Sequence, residues 1–318
     1  MKPSAAITPA LVQDSRQTLA KHARSFKWAS VFLPNDAQDD AAVVYAFCRL
    51  VDDLADEAPS TKVARTDLSR ARAELMGSVP RRPLIAAFVT LCETRNMPLE
   101  AAIALLDGVE SDLEDVCIAD DGELLRYCYR VAGTVGLMMC GVLGVTDPKA
   151  IAPAIDLGIA MQLTNISRDV REDAERGRTY LPADRLIAAG TTPESLITGN
   201  PDRVAVAIVT RDLIDMADIY YRSARNGLRF IPWRARFAIT VASAVYRAIG
   251  TRLRRAGSDP WVGRTMVGSA GKVLATLGAL LSFLSPNVQG WTALRPHRAS
   301  LHRRLDGLPG TTTAAVPS

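Results

Sequence analysis

Helix-compatible apolar runs, not alternating ones, dominate the pattern of hydrophobic and polar positions along this chain. Leu33-Pro34-Asn35-Asp36 reads as a helix start and Pro59 as a stop, so a helix of roughly twenty residues is expected to end near Asp56. Thr8 followed by Pro9 reads as an N-cap and a first helical position. A third helix is expected over about 153–177, where Gly177 suits a C-terminal cap. Further helical patterns cover about 65–77, 83–95, 98–115, 120–144, 201–227, 232–256 and 268–284. No convincing strand alternation is present, and no Gly-rich phosphate loop follows a strand. Loops are short and marked by Pro and Gly, as at 80–83 and 190–201. The expectation is a single all-α helical bundle domain over 1–306, followed by a disordered Gly/Pro/Thr-rich tail over 307–318.

Composition agrees with this. The 318 residues are 48% hydrophobic and only 6% aromatic, with Ala and Leu dominating the apolar set, which favours helices. A net charge of +4 is too mild to argue for nucleic acid as a partner. Cys48, Cys92, Cys117, Cys128 and Cys140 form no Cys-x-x-Cys pair, and reduced, mostly buried thiols fit a cytoplasmic protein. His22, His297 and His302 are too scattered along the chain to suggest a zinc site. Residues 1–10 lack a basic start followed by an apolar core, so no secretory signal is expected. The most lipid-like stretch, 273–284, falls short of the roughly 20 residues a spanning helix needs, and a buried helix is expected there.

One acidic spacing occurs twice, each time after an apolar run: Asp52-Asp53-Leu54-Ala55-Asp56 and Asp169-Val170-Arg171-Glu172-Asp173. Positions four apart share a helix face, so each copy aims two carboxylates the same way. Two such faces opposed across a cavity make an oxygen-rich site for hard divalent cations, and Mg²⁺ is the usual partner of diphosphate. A lone Asp-x-x-x-Asp is ordinarily a solvated face; three features point further here. The acids cluster near predicted helix C-termini, where the helix dipole disfavours each by about 0.3–1 kcal/mol. A bound cation would reverse that penalty, although Arg49, Arg168, Arg171 and Arg176 offset part of it. Gln162, Asn165, Asp169 and Asp173 form a polar stripe on a helix that otherwise carries Ile155, Leu157, Ile159, Met161 and Leu163, an expensive arrangement unless partners are supplied. The two segments are also alike. Arg49 and Arg178 flank them and suit a polyanion, while ordinary intrahelical ion pairing accounts for Arg49 equally well.

The segment Tyr45-Ala46-Phe47-Cys48-Arg49-Leu50-Val51-Asp52-Asp53-Leu54-Ala55-Asp56 resembles the first signature of the squalene/phytoene synthase family. Gln162-Leu163-Thr164-Asn165-Ile166-Ser167-Arg168-Asp169-Val170-Arg171-Glu172-Asp173, running on through Gly177, Arg178, Thr179 and Tyr180 to Pro182, resembles the second. Segments 127–139, 22–26 and 245–250 resemble the helix between them, an N-terminal substrate-binding segment and a late helix. The likeness spans roughly 15–285 in order, and the 127–139 piece is most similar to the bacterial phytoene-forming members.

The resemblance implies an all-α isoprenoid synthase fold around a deep central cavity, and head-to-head joining of two prenyl diphosphates through a cyclopropyl diphosphate. For the phytoene-forming members the substrate is geranylgeranyl diphosphate, in the first committed step of carotenoid biosynthesis. Mg²⁺ (or Mn²⁺) would be held by Asp52, Asp56, Asp169 and Asp173, with Asn165 as a further ligand. Arg49, Arg178, Tyr180, Ser25 and Arg24 would steady diphosphate, and Gln162 would line the substrate site. Phe26, Tyr45 and Tyr246 would stabilise cationic centres, although simple core packing accounts for any one of them equally well. Small residues about Val131 and Gly136 would let the prenyl chains pass close to a helix, although plain helix packing explains them as well. No nicotinamide is expected. Greasy substrates, together with Arg264, Lys272, Arg295, Arg298, Arg303 and Arg304 in a stretch free of acids, suggest peripheral contact with the inner face of the membrane, and a solvated tail explains them equally. Other carotenoid enzymes are expected partners. Two rivals remain: a farnesyl-using relative making dehydrosqualene or hydroxysqualene, and a non-catalytic helical assembly factor.

Overall fold

Thr8 accepts a hydrogen bond from the Leu11 amide at 3.3 Å and Pro9 follows it, so the chain enters its first helix, α1 (Pro9–His22), as the sequence predicts. The structure, a computed structural model, describes residues 6–262, 265, 267–283 and 297–311. After α1 come α2 (Arg24–Ser30), α3 (Asn35–Asp56), α4 (Thr61–Leu75), α5 (Pro83–Arg95) and α6 (Leu99–Ser111). Asp120 caps α7 (Asp121–Cys128), which passes through a π-turn, Tyr129–Gly133, into α8 (Thr134–Val142). The long α9 (Ile151–Glu175) is followed by two short helices, α10 (Ala183–Ala189) and α11 (Pro193–Ile197), then by α12 (Arg203–Ala224), α13 (Trp233–Arg255) and α14 (Ser269–Phe283). No strand forms among the described residues; a single parallel bridge joins Cys117 to Thr179.

The axis of the bundle is α9, which packs against α8, α12, α13 and the π-turn. Two glycines allow that closeness. A Cβ on Gly136 would lie 2.1 Å from the Ala154 carbonyl oxygen, and one on Gly158 would lie 2.2 Å from that of Ala132. Elsewhere the core is aliphatic with a few stacked rings, such as Phe47 on Phe88 with centroids 3.8 Å apart, which joins α3 to α5.

Four expectations need correction. The run expected as one helix over 120–144 is broken by the π-turn, which widens the helix where it faces α9. The expected loop at 190–201 contains α11, started by a reciprocal cap between Thr192 and Ser195. The stretch expected to be a buried helix, α14, packs one face on α13 but leaves Val273, Leu274, Leu277, Leu280 and Leu281 between 41% and 74% exposed. Residues 307–311, expected in a disordered tail, form turns held to the body: the Tyr129 hydroxyl donates to the Pro309 carbonyl at 2.5 Å, and Thr311 is buried. The rest of that tail, 312–318, lies outside the described residues.

Candidate active site

Each acidic motif occupies the last turns of a long helix, the first on α3 and the second on α9. The two helix ends share one electrostatic neighbourhood. Arg178, just beyond α9, donates from Nη1 to Asp56 Oδ1 at 3.1 Å. Between the ends stands Asp112, the residue that closes α6, which raises the carboxyl groups of both Asp52 and Asp173. Burial pushes Asp52 up to about 7; Arg49 opposes the rise, and Asp56, Asp112 and Asp53 add to it. Asp173 is likewise pushed up to about 7, by burial and then by Asp169, against Arg176 and Arg178. Burial lifts Asp112 to about 6, against hydrogen bonds from Tyr180 and Tyr127.

The loop after α6 is held in register with the loop after α9. The Thr179 amide donates to Val116 O at 3.0 Å, and the Ala183 amide to Ile118 O at 2.8 Å. This brings Tyr180 over Asp112. The Tyr180 hydroxyl donates to Asp112 Oδ1 at 2.9 Å and that of Tyr127 to Oδ2 at 3.0 Å, while the two rings stack with centroids 4.8 Å apart. Sequence reasoning does not find Asp112. It lies in an acidic run, Glu110 to Asp115, that reads as a solvated helix end, and its only sequence signal is the nearby Tyr127 in the resembling helix.

The other predicted residues divide. Arg49 is paired within its own helix, Nη2 to Asp53 Oδ1 at 2.5 Å, as the plainer reading has it, yet its Nε is buried without a partner. Arg168 grips Asp169 with two nitrogens. Asn165 donates to Gln162 Oε1 at 3.3 Å and leaves its own Oδ1 buried without a hydrogen-bond donor. That orphaned oxygen and the crowded, hard carboxylates fit Mg²⁺. The motif carboxylates do not, however, converge in threes on one point; among the described residues that arrangement occurs elsewhere, at Asp156, His297 and His302.

Phe26 of α2 and Tyr246 of α13 lie with ring centroids 5.0 Å apart. Tyr45 packs with Phe26 on Leu19, Ala23 and Ala42. Burial pushes the hydroxyls of Tyr45 and Tyr246 up to about 12, and Tyr246 also senses Arg168 and Asp169. These three aromatics therefore form one wall beside the second motif. Ser25 is half-buried on α2, and Val131 is half-buried in the π-turn. The side chain of Arg24 lies outside the described residues. The space beside the Cα of Gly136 is filled by the backbone of α9 at Ala154, which accounts for the glycine by helix packing. Asp173, Arg178, Thr179 and Tyr180, with Ile166, Val170, Leu181 and Leu196, line a cleft too tight to admit a water molecule.

The family model described as squalene/phytoene synthase matches residues 19–272. The phytoene synthase of Pseudescherichia vulneris is 36% identical over 283 residues, covering 85% of this chain and 91% of that one. The 15-cis-phytoene synthase of a Paracoccus species is 38% identical over 275 residues, covering 83% and 88%. Among solved structures, a dehydrosqualene synthase in complex with ligand superposes with a TM-score of 0.78 at 26% identity, covering 86% of this chain and 96% of that one. The all-helical fold is that of the isoprenoid synthases, and the chain belongs to the squalene/phytoene synthase family.

Proposed function

We propose that this chain is a phytoene synthase, joining two geranylgeranyl diphosphates head to head through a cyclopropyl diphosphate and releasing two diphosphates. The observation that carries the reading is similarity to curated phytoene synthases over 83–85% of this chain, a span that takes in both acidic motifs and the residues between them.

In this reading Asp52, Asp56, Asp169 and Asp173, with Asn165, hold Mg²⁺ (or Mn²⁺). When bound, the metal supplies Lewis-acid polarisation of the leaving diphosphate. Arg178, Tyr180, Arg49 and Ser25 bind diphosphate oxygens, and Arg24 is given the same role on the sequence resemblance alone. Asp112 holds Tyr127 and Tyr180 in place through their hydroxyls. Ionisation leaves an allylic carbocation, which the faces of Phe26, Tyr45 and Tyr246 stabilise by about 2 kcal/mol where water is excluded. The final cation loses a proton, so no nicotinamide is required.

The test is one incubation of purified protein with Mg²⁺ and radiolabelled C15 or C20 diphosphate, without a reductant, followed by sizing of the extracted hydrocarbon. A C40 product is expected. A C30 product would replace the reading with its rival, a dehydrosqualene-forming enzyme, which the structural match to a dehydrosqualene synthase favours. Folded protein with no product from either substrate would point to a scaffold.

The reading includes peripheral membrane contact at the inner face, since substrate and product are water-insoluble. No helix among the described residues is long and apolar enough to cross a membrane. The exposed apolar row of α14 is the proposed contact, with Lys272 on the same helix and Arg298, Arg303 and Arg304 of the C-terminal segment as candidate basic partners; Arg264 and Arg295 lie outside the described residues.

A further inference from the structure

The fold undoes the scatter of the histidines. His297 and His302, from the segment after α14, both point at Asp156 in the second turn of α9. His297 Nε2 lies 2.9 Å from Asp156 Oδ2, and His302 Nε2 lies 2.8 Å from Oδ1. The imidazole centroids are 4.5 Å apart, and the three donor atoms lie within 4.8 Å of one another. Side-chain exposure is 0% for Asp156, 11% for His297 and 6% for His302. We propose that Asp156, His297 and His302 form a transition-metal site, separate from the acidic motifs, that clasps the C-terminal segment to α9.

The choice of partner residues carries the inference. Among the described ion pairs, every carboxylate other than Asp156 is met by arginine. Glu74, also fully buried, shows what this chain does with a structural carboxylate: Arg82 reaches it at 3.0 Å and Arg70 at 3.3 Å. Asp156 instead receives two imidazoles, the side chains best suited to coordinate a borderline ion. The donor set is two nitrogens and one carboxylate, which favours Zn²⁺ or Co²⁺ over Mg²⁺, an ion that prefers six oxygens.

The observed separations are hydrogen-bond lengths, so protons link the three groups as they stand. A four-coordinate ion with bonds of about 2.0–2.1 Å sets its donors about 3.3 Å apart, so the two histidine–aspartate contacts, made to different oxygens of Asp156, would each open by about half an ångström, while the two Nε2 atoms already lie within 4.8 Å of one another. His297 Nδ1 is buried without a partner in either form and does not weigh between them. The clasped segment touches the body at further points. The Tyr220 hydroxyl donates to Leu301 O at 3.0 Å, and Arg126 Nη1 donates to Arg304 O at 3.2 Å and to Asp306 O at 3.1 Å. With the Tyr129 bond to Pro309, the segment is fastened to α7 and the π-turn, the elements that also carry Tyr127 to Asp112. An ion at Asp156 would stabilise that whole buttress.

The test uses full-length protein, stripped with a chelator and titrated with Co²⁺ in excess Mg²⁺, which keeps the acidic motifs supplied. One Co²⁺ per chain is expected, with the intense visible absorption of four-coordinate cobalt bound by nitrogen, and Zn²⁺ should abolish that absorption by displacement. His297→Gln and His302→Gln should each weaken uptake by about tenfold or more, and Asp52→Asn should leave it unchanged. Zn²⁺ should raise the thermal midpoint of the wild type but not of either histidine variant. Folded wild type that takes up no cobalt, shows only the weak absorption of six-coordinate oxygen ligation, or loses its cobalt in Asp52→Asn would overturn the proposal. Should the histidine variants not fold, the wild type and Asp52→Asn spectra decide it.

Discussion

Arg178 and Asp56, 122 positions apart in sequence, meet at 3.1 Å and tie the end of the second acidic motif to the end of the first. The guanidinium also feels Asp112 and Tyr180, so one cation stands among groups from three parts of the chain. Arg178→Lys keeps the charge but loses the planar fork that can hold Asp56 and a diphosphate oxygen together. Turnover of prenyl diphosphate is expected to fall by about tenfold or more, roughly 1.4 kcal/mol in the barrier, with the far-ultraviolet dichroism unchanged. Steady-state kinetics beside dichroism checks this, and wild-type kcat/KM in the variant would remove Arg178 from the site.

Asp52 and Asp173, each raised to about 7 where an ordinary aspartate lies near 4, give the site a pH signature. A carboxyl raised by folding holds its proton more tightly in the folded chain than in the unfolded one. Between about pH 4 and 7 the folded state therefore carries extra protons, and the contribution of these two groups to stability declines as pH rises through that window, then levels off. A divalent cation requires the ionised form, so its binding moves the other way. Mg²⁺ is expected to raise the thermal midpoint of chelator-treated protein more at about pH 8 than at about pH 6, and to release protons on binding near pH 7. Scanning calorimetry, with titrations in buffers of different ionisation enthalpy, measures both. Equal Mg²⁺ shifts at the two pH values would contradict the assignment.

Among the described glycines, Gly136 lies nearest a neighbouring backbone, that of Ala154. A Cβ at Gly136 would stand 2.1 Å from a backbone carbonyl oxygen, and backbone, unlike the end of a side chain, has nowhere to swing. Gly136→Ala is expected to cost about 1–3 kcal/mol and to lower the thermal midpoint by several degrees. At a temperature where the variant is folded, kcat and KM should stay within about twofold of wild type. Had the glycine served the substrate instead, KM would rise with the midpoint unmoved.

The helices of this fold were legible where a local signal marks both ends. The stop at Pro59 and the glycine at 177 bracket α3 and α9 to within a few residues, and with them both acidic faces. What the sequence hides is made by long-range contact. Asp112 enters the site only because two loops pair at Cys117 and Thr179, and a lone aspartate at a helix end carries no trace of that pairing. His297 and His302 meet Asp156 across more than 140 positions. The π-turn inserts itself into a segment whose apolar pattern is that of an unbroken helix. The exposed face of α14 escapes for the opposite reason: an apolar run reads the same whether protein or lipid covers it.

Leu274, Leu277 and Leu281 follow one another at helical spacing on the outer face of α14, with exposures of 71%, 53% and 74%. The inner face is secured separately, by packing on α13 and by the Trp28 indole, which donates to Thr276 Oγ1 at 3.0 Å. Replacing the three outer leucines by serine should therefore spare the fold, since residues that exposed contribute little to the core. Membrane affinity scales with the apolar area inserted, so the same change should reduce co-sedimentation with vesicles of anionic lipid by about tenfold or more. Neutral vesicles separate the two contributions. If apolar insertion dominates, the wild type binds both vesicle types; if the basic residues Lys272, Arg298, Arg303 and Arg304 dominate, binding fails on neutral lipid and in high salt. Turnover of detergent-dispersed substrate should be unaffected, because the substitution lies on the face turned away from α13 and Tyr246. A triple variant that sediments with vesicles as the wild type does would mean that α14 is covered by something other than lipid.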